Sequence, residues 1–156
     1  MQSDSREDAK PRRDVEELSS IVVDCAYKLH VEAGPGLLES VYEVVLATML
    51  ETRGLRVRRQ VPVPISLMNL RFDEGFRADI LVEDSLLVEL KSVEHLLPVH
   101  SKQLLTYLRL MDLPVGLMIN FGAVTFKQGI KRIVNRHQNF ASSRLRVNQH
   151  PDDHEE

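Results

Sequence analysis

The stretch FRADILVEDSLLVELK, residues 76–91, decides how this chain is read. Its two halves, Phe76 to Val82 and Leu86 to Lys91, are mostly apolar, and Glu83, Asp84 and Ser85 between them favour a turn. That is the pattern of two short strands joined tightly into an antiparallel hairpin. A turn centred on Asp84 sets Asp79 opposite Glu89. Side chains two apart on a strand share a face, so Glu89 and Lys91 project together while Val88 and Leu90 face a core. Facing carboxylates repel unless a proton or a cation lies between them. Oxygen-only ligands of this kind suit magnesium or manganese, which keep several waters and accept phosphates as further ligands. The Lys91 ammonium would then orient or help deprotonate an attacking water and stabilise charge on a phosphorane. A surface salt bridge is the plainer account of the same residues.

Upstream, Leu18, Ile21, Val22, Cys25, Ala26 and Leu29 follow helical spacing and predict a helix over 14–31. Gly34-Pro35-Gly36 breaks it. A second helix is expected over 37–53, with Val41, Val44, Val45, Thr48 and Met49 inward and Gly54 as its stop. Val57, Val61, Val63 and Ile65 then alternate along an extended segment, where Pro62 and Pro64 mark an exposed edge. Downstream, Leu104, Leu105, Leu108 and Met111 share one face of a helix over 98–111, and 115–120 is a β run. The segment 127–137 reads as a short strand or a helix. The order α-α-β-β-β-α-β describes a mixed α/β fold.

A chain of 156 residues with ordinary proportions of apolar (43%) and charged (28%) residues fits one globular domain. A single cysteine excludes a disulfide framework and a cysteine-rich zinc module, and its apolar setting makes Cys25 a buried thiol. No apolar run reaches the ~18 residues that span a bilayer, and the polar start is unlike a signal peptide, so a cytoplasmic protein without membrane contact is expected. Residues 1–14 and 148–156 read as disordered ends around a domain over 15–147; His150 and His154 belong to the acidic tail. That domain carries 16 basic and 15 acidic residues, so contact with nucleic acid requires a local patch. Candidates are Arg53, Arg56, Arg58, Arg59, Arg77, Lys102, Arg109, Lys131 and Arg132, of which Arg58, Arg77 and Lys102 are assigned to substrate; a solvated face is the simpler account of most. His30, His95 and His100 lack the spacing of a zinc site. The sequence leaves the oligomeric state open, a homodimer included.

Asp79 followed by Glu89-Leu90-Lys91 has the D-x(n)-E-x-K form of the PD-(D/E)XK nuclease superfamily, and Gln103 and Tyr107 resemble the Q-x-x-x-Y helix motif of its exonuclease-type branch. GLLESVY (36–42), FRAD (76–79) and INFG (119–122) further resemble the bacterial GxxExxY proteins, over roughly residues 17–135. Ala78 stands where the superfamily's name has proline. The resemblance implies a four-stranded or slightly larger mixed sheet flanked by helices, with a restriction-endonuclease-like α-β-β-β-α-β core and an extra N-terminal helix. It implies Mg2+ or Mn2+ held by Asp79, Glu89 and Glu39, with Lys91, Gln103 and Tyr107 completing a catalytic set. The function implied is metal-dependent hydrolysis of phosphodiester bonds in DNA. The alternative is the same fold without turnover, contacting nucleic acid or a protein partner.

Overall fold

The computed structural model describes residues 13–136. The expectations for residues 1–12, for the tail from 148 and for the domain's end up to 147 lie outside the described residues. The first helix, α1 (Val15–Ala33), starts where the Asp14 carboxylate accepts the Glu17 N–H at 2.8 Å, with Glu16 and Glu17 in its first turn. It ends at Gly34, whose φ of 63° suits a residue without a Cβ. The second helix, α2 (Glu39–Thr52), is tied to that turn by Tyr42. The Tyr42 hydroxyl donates to the Gly34 carbonyl at 2.6 Å and accepts the Leu37 N–H at 3.2 Å, while its ring stacks on Phe121 with centroids 4.4 Å apart. These bonds fix where α2 begins, and therefore where Glu39 stands.

The inward face of α2 departs from the expectation. Val41, Val44 and Val45 are exposed at 41%, 45% and 38%, and Thr48 is exposed as well; Met49 only borders the core. The buried stripe is Tyr42, Glu43, Leu46, Ala47 and Leu50. Both stripes have helical spacing, and the second wins because it buries a tyrosine and two leucines where the first offers mainly valines. Cys25 is buried as expected, and loss of water raises its thiol pKa.

Beyond α2 the chain runs β1 (Val57–Leu67), β2 (Leu70–Val82), β3 (Leu86–Lys91), α3 (Pro98–Met111), β4 (Val115–Asn120), α4 (Phe126–Gly129) and β5 (Ile130–Val134). The strands form one sheet in the order β1-β2-β3-β4-β5, in which β3 and β4 are parallel and the other neighbours antiparallel. The segment expected to be strand or helix is one helical turn followed by the fifth strand. β2 begins six residues before the expected Phe76, after a turn in which Met68 and Asn69 take φ of 50° and 63°. Each hairpin closes through two consecutive left-handed residues, the second through Glu83 and Asp84, both at 51°.

Helices cover both faces. Leu86, Val88 and Leu90 pack with α1 and α2, whereas Leu87 packs with Leu104 and Leu108 of α3. Alternation along β3 therefore puts Glu89 and Lys91 on the α3 side. β1 and β2 change sides part way along: Val61, Val63, Phe76 and Ala78 pack under α3, but Val57, Ile80 and Val82 pack under α1 and α2. The change falls at Gln60 and Asp79, and Gln60 takes a φ of 50° to make it. Among the described residues, no helix is long and apolar enough to cross a membrane.

Candidate active site

The β2–β3 ladder pairs Val82 with Leu86, Leu81 with Leu87 and Ile80 with Val88, the register expected from the turn. One step further, side chains replace the ladder. Asp79 Oδ2 accepts the Leu90 N–H at 2.8 Å, and Glu89 Oε1 accepts the Asp79 N–H at 3.2 Å. Each carboxylate thus caps backbone that the parting strands leave unpaired, and the two are fixed side by side.

Elements from both faces close on this notch. From α3, Tyr107 lies against Glu89 and is held flat by Phe76, with ring centroids 3.8 Å apart. Its phenol pKa is raised by burial and by the Glu89 charge, against the pull of Gln103 beside it. From α2 comes Glu39, the first residue of the helix. Its carboxyl is pushed upward by partial burial and then by the Asp79 charge, while Lys91 and the Ser92 N–H oppose the shift. Lys91 therefore lies within electrostatic reach of Glu39 and of Glu89. Glu89 is only 6% exposed, and burial first, then Asp79, push its pKa up to about 9, against the opposing pull of Lys91.

Behind Lys91 stands the INFG segment. Lys91 pairs with Asn120 across β3 and β4. The Asn120 Oδ1 accepts the N–H groups of Val93 and Gly122 at 3.0 and 3.1 Å, and its Nδ2 donates to the Val93 carbonyl at 2.8 Å. A Cβ on Gly122 would sit 2.3 Å from that carbonyl, so only glycine lets the loop after Lys91 pack here. Asn120 is thus a clamp on the chain leaving β3.

Two residues were missed by sequence reasoning. Glu43, one turn after Glu39, is 6% exposed. Both its oxygens accept from Gln60 Nε2, at 3.0 and 3.1 Å, and the Arg59 guanidinium lies 3.6 Å away. The same Gln60 nitrogen lies 3.4 Å from Asp79 Oδ1, so one amide bridges two carboxylates. A positive φ on a residue other than glycine is strained, and the bridge retains it. Gln60→Ala leaves Glu43 buried with only Arg59 beside it. It is expected to cost about 1–3 kcal/mol in urea unfolding; a loss under about 0.3 kcal/mol would show the bridge to be idle.

The residues assigned to substrate fare differently. Arg58 pairs with Asp84 at the β2–β3 turn, as Arg56 does, at the end of the hairpin opposite the notch. Arg77 is paired with Glu74 on the exposed part of β2. Lys102 is exposed on α3, next to Gln103, with no salt bridge to a described residue.

Among the described residues, no three His, Cys, Asp or Glu side chains converge as a ready-made ligand cluster. Magnesium does not require one, because it keeps several waters and binds through one or two carboxylates. Asp79 and Glu89 supply such a pair of oxygen ligands, with Glu39 close enough to couple to Asp79. The donor set fits the ion.

An open, mixed five-stranded sheet with helices on both faces, bearing an Asp and a Glu-x-Lys on its central hairpin, defines a restriction-endonuclease-like α/β protein. A family model for the PD-(D/E)XK nuclease superfamily matches residues 16–133, most of the chain, and the chain belongs to that superfamily. No curated protein and no solved structure matches it. The narrower GxxExxY grouping rests on the short motifs alone.

Proposed function

We propose that the protein is a divalent-metal-dependent nuclease that hydrolyses phosphodiester bonds in DNA at this notch. The observation that carries the reading is the Asp79–Glu89 pair. The Glu89 carboxyl accepts the Asp79 N–H and the Asp79 carboxylate accepts the Leu90 N–H, in a buried site that disfavours the ionised form of Glu89 unless positive charge joins it.

Bound magnesium or manganese would supply Lewis-acid charge for the phosphoryl oxygens and a water of lowered pKa. Asp79 and Glu89 would hold it, with Glu39 at the start of α2 as a further carboxylate. Lys91 sits at the open end of β3, where its ammonium can hold the attacking water and meet charge developing on the phosphorane. Gln103 and Tyr107 line the α3 side, restraining Glu89 and the substrate backbone. Gln60 and Glu43 set the position of Asp79 from behind.

The test is cleavage of labelled single-stranded, duplex and branched DNA with Mg2+ or Mn2+, then with EDTA. Cleavage that needs the cation and falls at least 100-fold in Asp79→Ala, an order-of-magnitude expectation for a lost metal ligand, supports the reading. Activity unchanged in that variant would assign it to a contaminant.

A further inference from the structure

Charge in this domain is sharply divided between its two halves. Residues 13–90 contain eight Lys and Arg against fourteen Asp and Glu, whereas 91–136 contain seven against two. Ion pairing follows the same division. In the first half every Lys and Arg is within salt-bridge distance of a carboxylate. In the second half, Lys91, Lys102, Arg109, Lys127, Lys131 and Arg136 have no such partner among the described residues; only Arg132 does, with Glu16.

Topology gathers three of these cations at the catalytic end. β3 and β4 run parallel, and Lys91 and Asn120 end them side by side. α3 starts from that end with Lys102 in its first half, and β5, antiparallel to β4, brings Lys131 back to it behind the short α4 that carries Lys127. Registers fix Lys131 further. Glu89 pairs with Met118, and Met118 pairs with Lys131, so the three form one row across the sheet. Side chains in a row share a face, and Met118 packs on the α3 side. Lys131 therefore stands on the same face as Glu89, two strand spacings away, or about 10 Å. It borders a cleft of about 270 Å³ that is also lined by Glu94, His95, Asn120 and Gln128, with the exposed Glu94 carboxylate 3.6 Å from the His95 ring. This cleft adjoins the Asn120 clamp behind Lys91.

We propose that this cleft is a phosphate-binding subsite, through which the substrate strand runs from the notch toward Lys131 and Lys127. The ligand is a phosphodiester of the nucleic-acid backbone. An offset of about 10 Å, two strand spacings, places it within a few nucleotides of the scissile bond. The inference rests on the nuclease reading for the position of that bond. The charge argument does not depend on turnover: cations with no salt-bridge partner among the described residues, beside a carboxylate site, give a strand its track.

The experiment measures binding without cleavage. Fluorescence anisotropy of a labelled duplex is followed in EDTA across a salt series for the wild type, K127A/K131A and R56A/R58A. The first double variant should bind about tenfold more weakly, and the slope of log K against log salt should shrink by about 1.8, or 0.9 per contact. R56A/R58A should bind like the wild type. Unchanged affinity in K127A/K131A, equal losses in both variants, or no binding by the wild type would each overturn the subsite. Binding that follows the prediction in a protein that never cleaves DNA leaves the subsite standing and removes the catalytic reading. Cleavage with affinity indifferent to Lys131 does the reverse.

Discussion

Lys91→Ala is expected to slow metal-dependent cleavage by about 10²- to 10⁴-fold, the range for removing a positioned proton-transfer or charge-stabilising group. Its effect on the cation should be opposite in sign. Lys91 stabilises the ionised forms of Glu39 and Glu89, so it occupies part of the field that a divalent ion would use. Removing the ammonium leaves the carboxylates of Asp79 and Glu89 to the metal alone. Calorimetric titration with Mn2+ should therefore show affinity equal to or tighter than that of the wild type. Lost cleavage with retained metal binding separates a group acting on the water and phosphate from one that merely builds the ion site. Lys91→Arg should not restore the rate, because a guanidinium neither yields a proton nor fits a compact ammonium position. Cleavage within threefold of the wild type in Lys91→Ala would remove the lysine from the chemistry; equal loss of metal and activity would make it structural.

The hairpin that bears Asp79, Glu89 and Lys91 was readable because local chemistry and packing agree there. A tight polar turn sets the register, and apolar neighbours on β3 force the polar residues to one face. The helices were readable from periodicity, within two residues at either end. What failed was the choice of face on α2, and the cause is chemical. A glutamate in the stripe of Tyr42, Leu46 and Leu50 made that stripe look solvated and the valine stripe look buried. Glu43 goes inside because Gln60 and Arg59 meet it there, and both come from a strand that periodicity cannot place against the helix. The residue that concealed the face is thus also a site residue that was missed. The start of β2 was hidden in the same way. Asp73, Glu74 and Gly75 precede the expected start at Phe76, yet they sit in a bulge of the strand in which a Cβ on Gly75 would meet Ile65 at 2.4 Å.

Charge shows how an average can mislead. A near-balance of acid and base over the domain conceals an acidic half and a basic half, and the sheet then brings Lys131 of the basic half toward the end of β3 that carries Lys91. Arg58 and Arg77 looked available for phosphate in sequence, but carboxylates at the turn and on the exposed ribbon already neutralise them. Availability is a property of partners, and partners are tertiary.

The second large effect concerns stability without metal. In EDTA at pH 7, Glu89→Gln is expected to unfold at a temperature about 10 °C higher than the wild type, from a gain of about 2–4 kcal/mol. Glu89 is 6% exposed beside Asp79, with its pKa raised from 4.5 to about 9. An acid whose pKa is raised by folding binds more protons when folded than unfolded between those two values. Its contribution to stability is therefore complete below pH 4.5, declines through the interval, and is lost above about pH 9. Glutamine is a neutral counterpart of the protonated acid. Its oxygen can still accept the Asp79 N–H, its NH2 can donate to the Asp79 carboxylate, and it carries no charge to desolvate. The advantage of the variant should accordingly be smallest near pH 4.5 and grow toward pH 9. Saturating Mg2+ should reverse the comparison. The ion stabilises the native wild type by mass action, about 2.7 kcal/mol at 100 times Kd, and Glu89→Gln, short of a ligand charge, should gain much less. Thermal unfolding of both proteins across pH 5–9, with EDTA and then with Mg2+, reads all of this at once. A variant less stable than the wild type at every pH in EDTA would mean that Glu89 is ionised in the native metal-free protein, held by Lys91 as a structural ion pair.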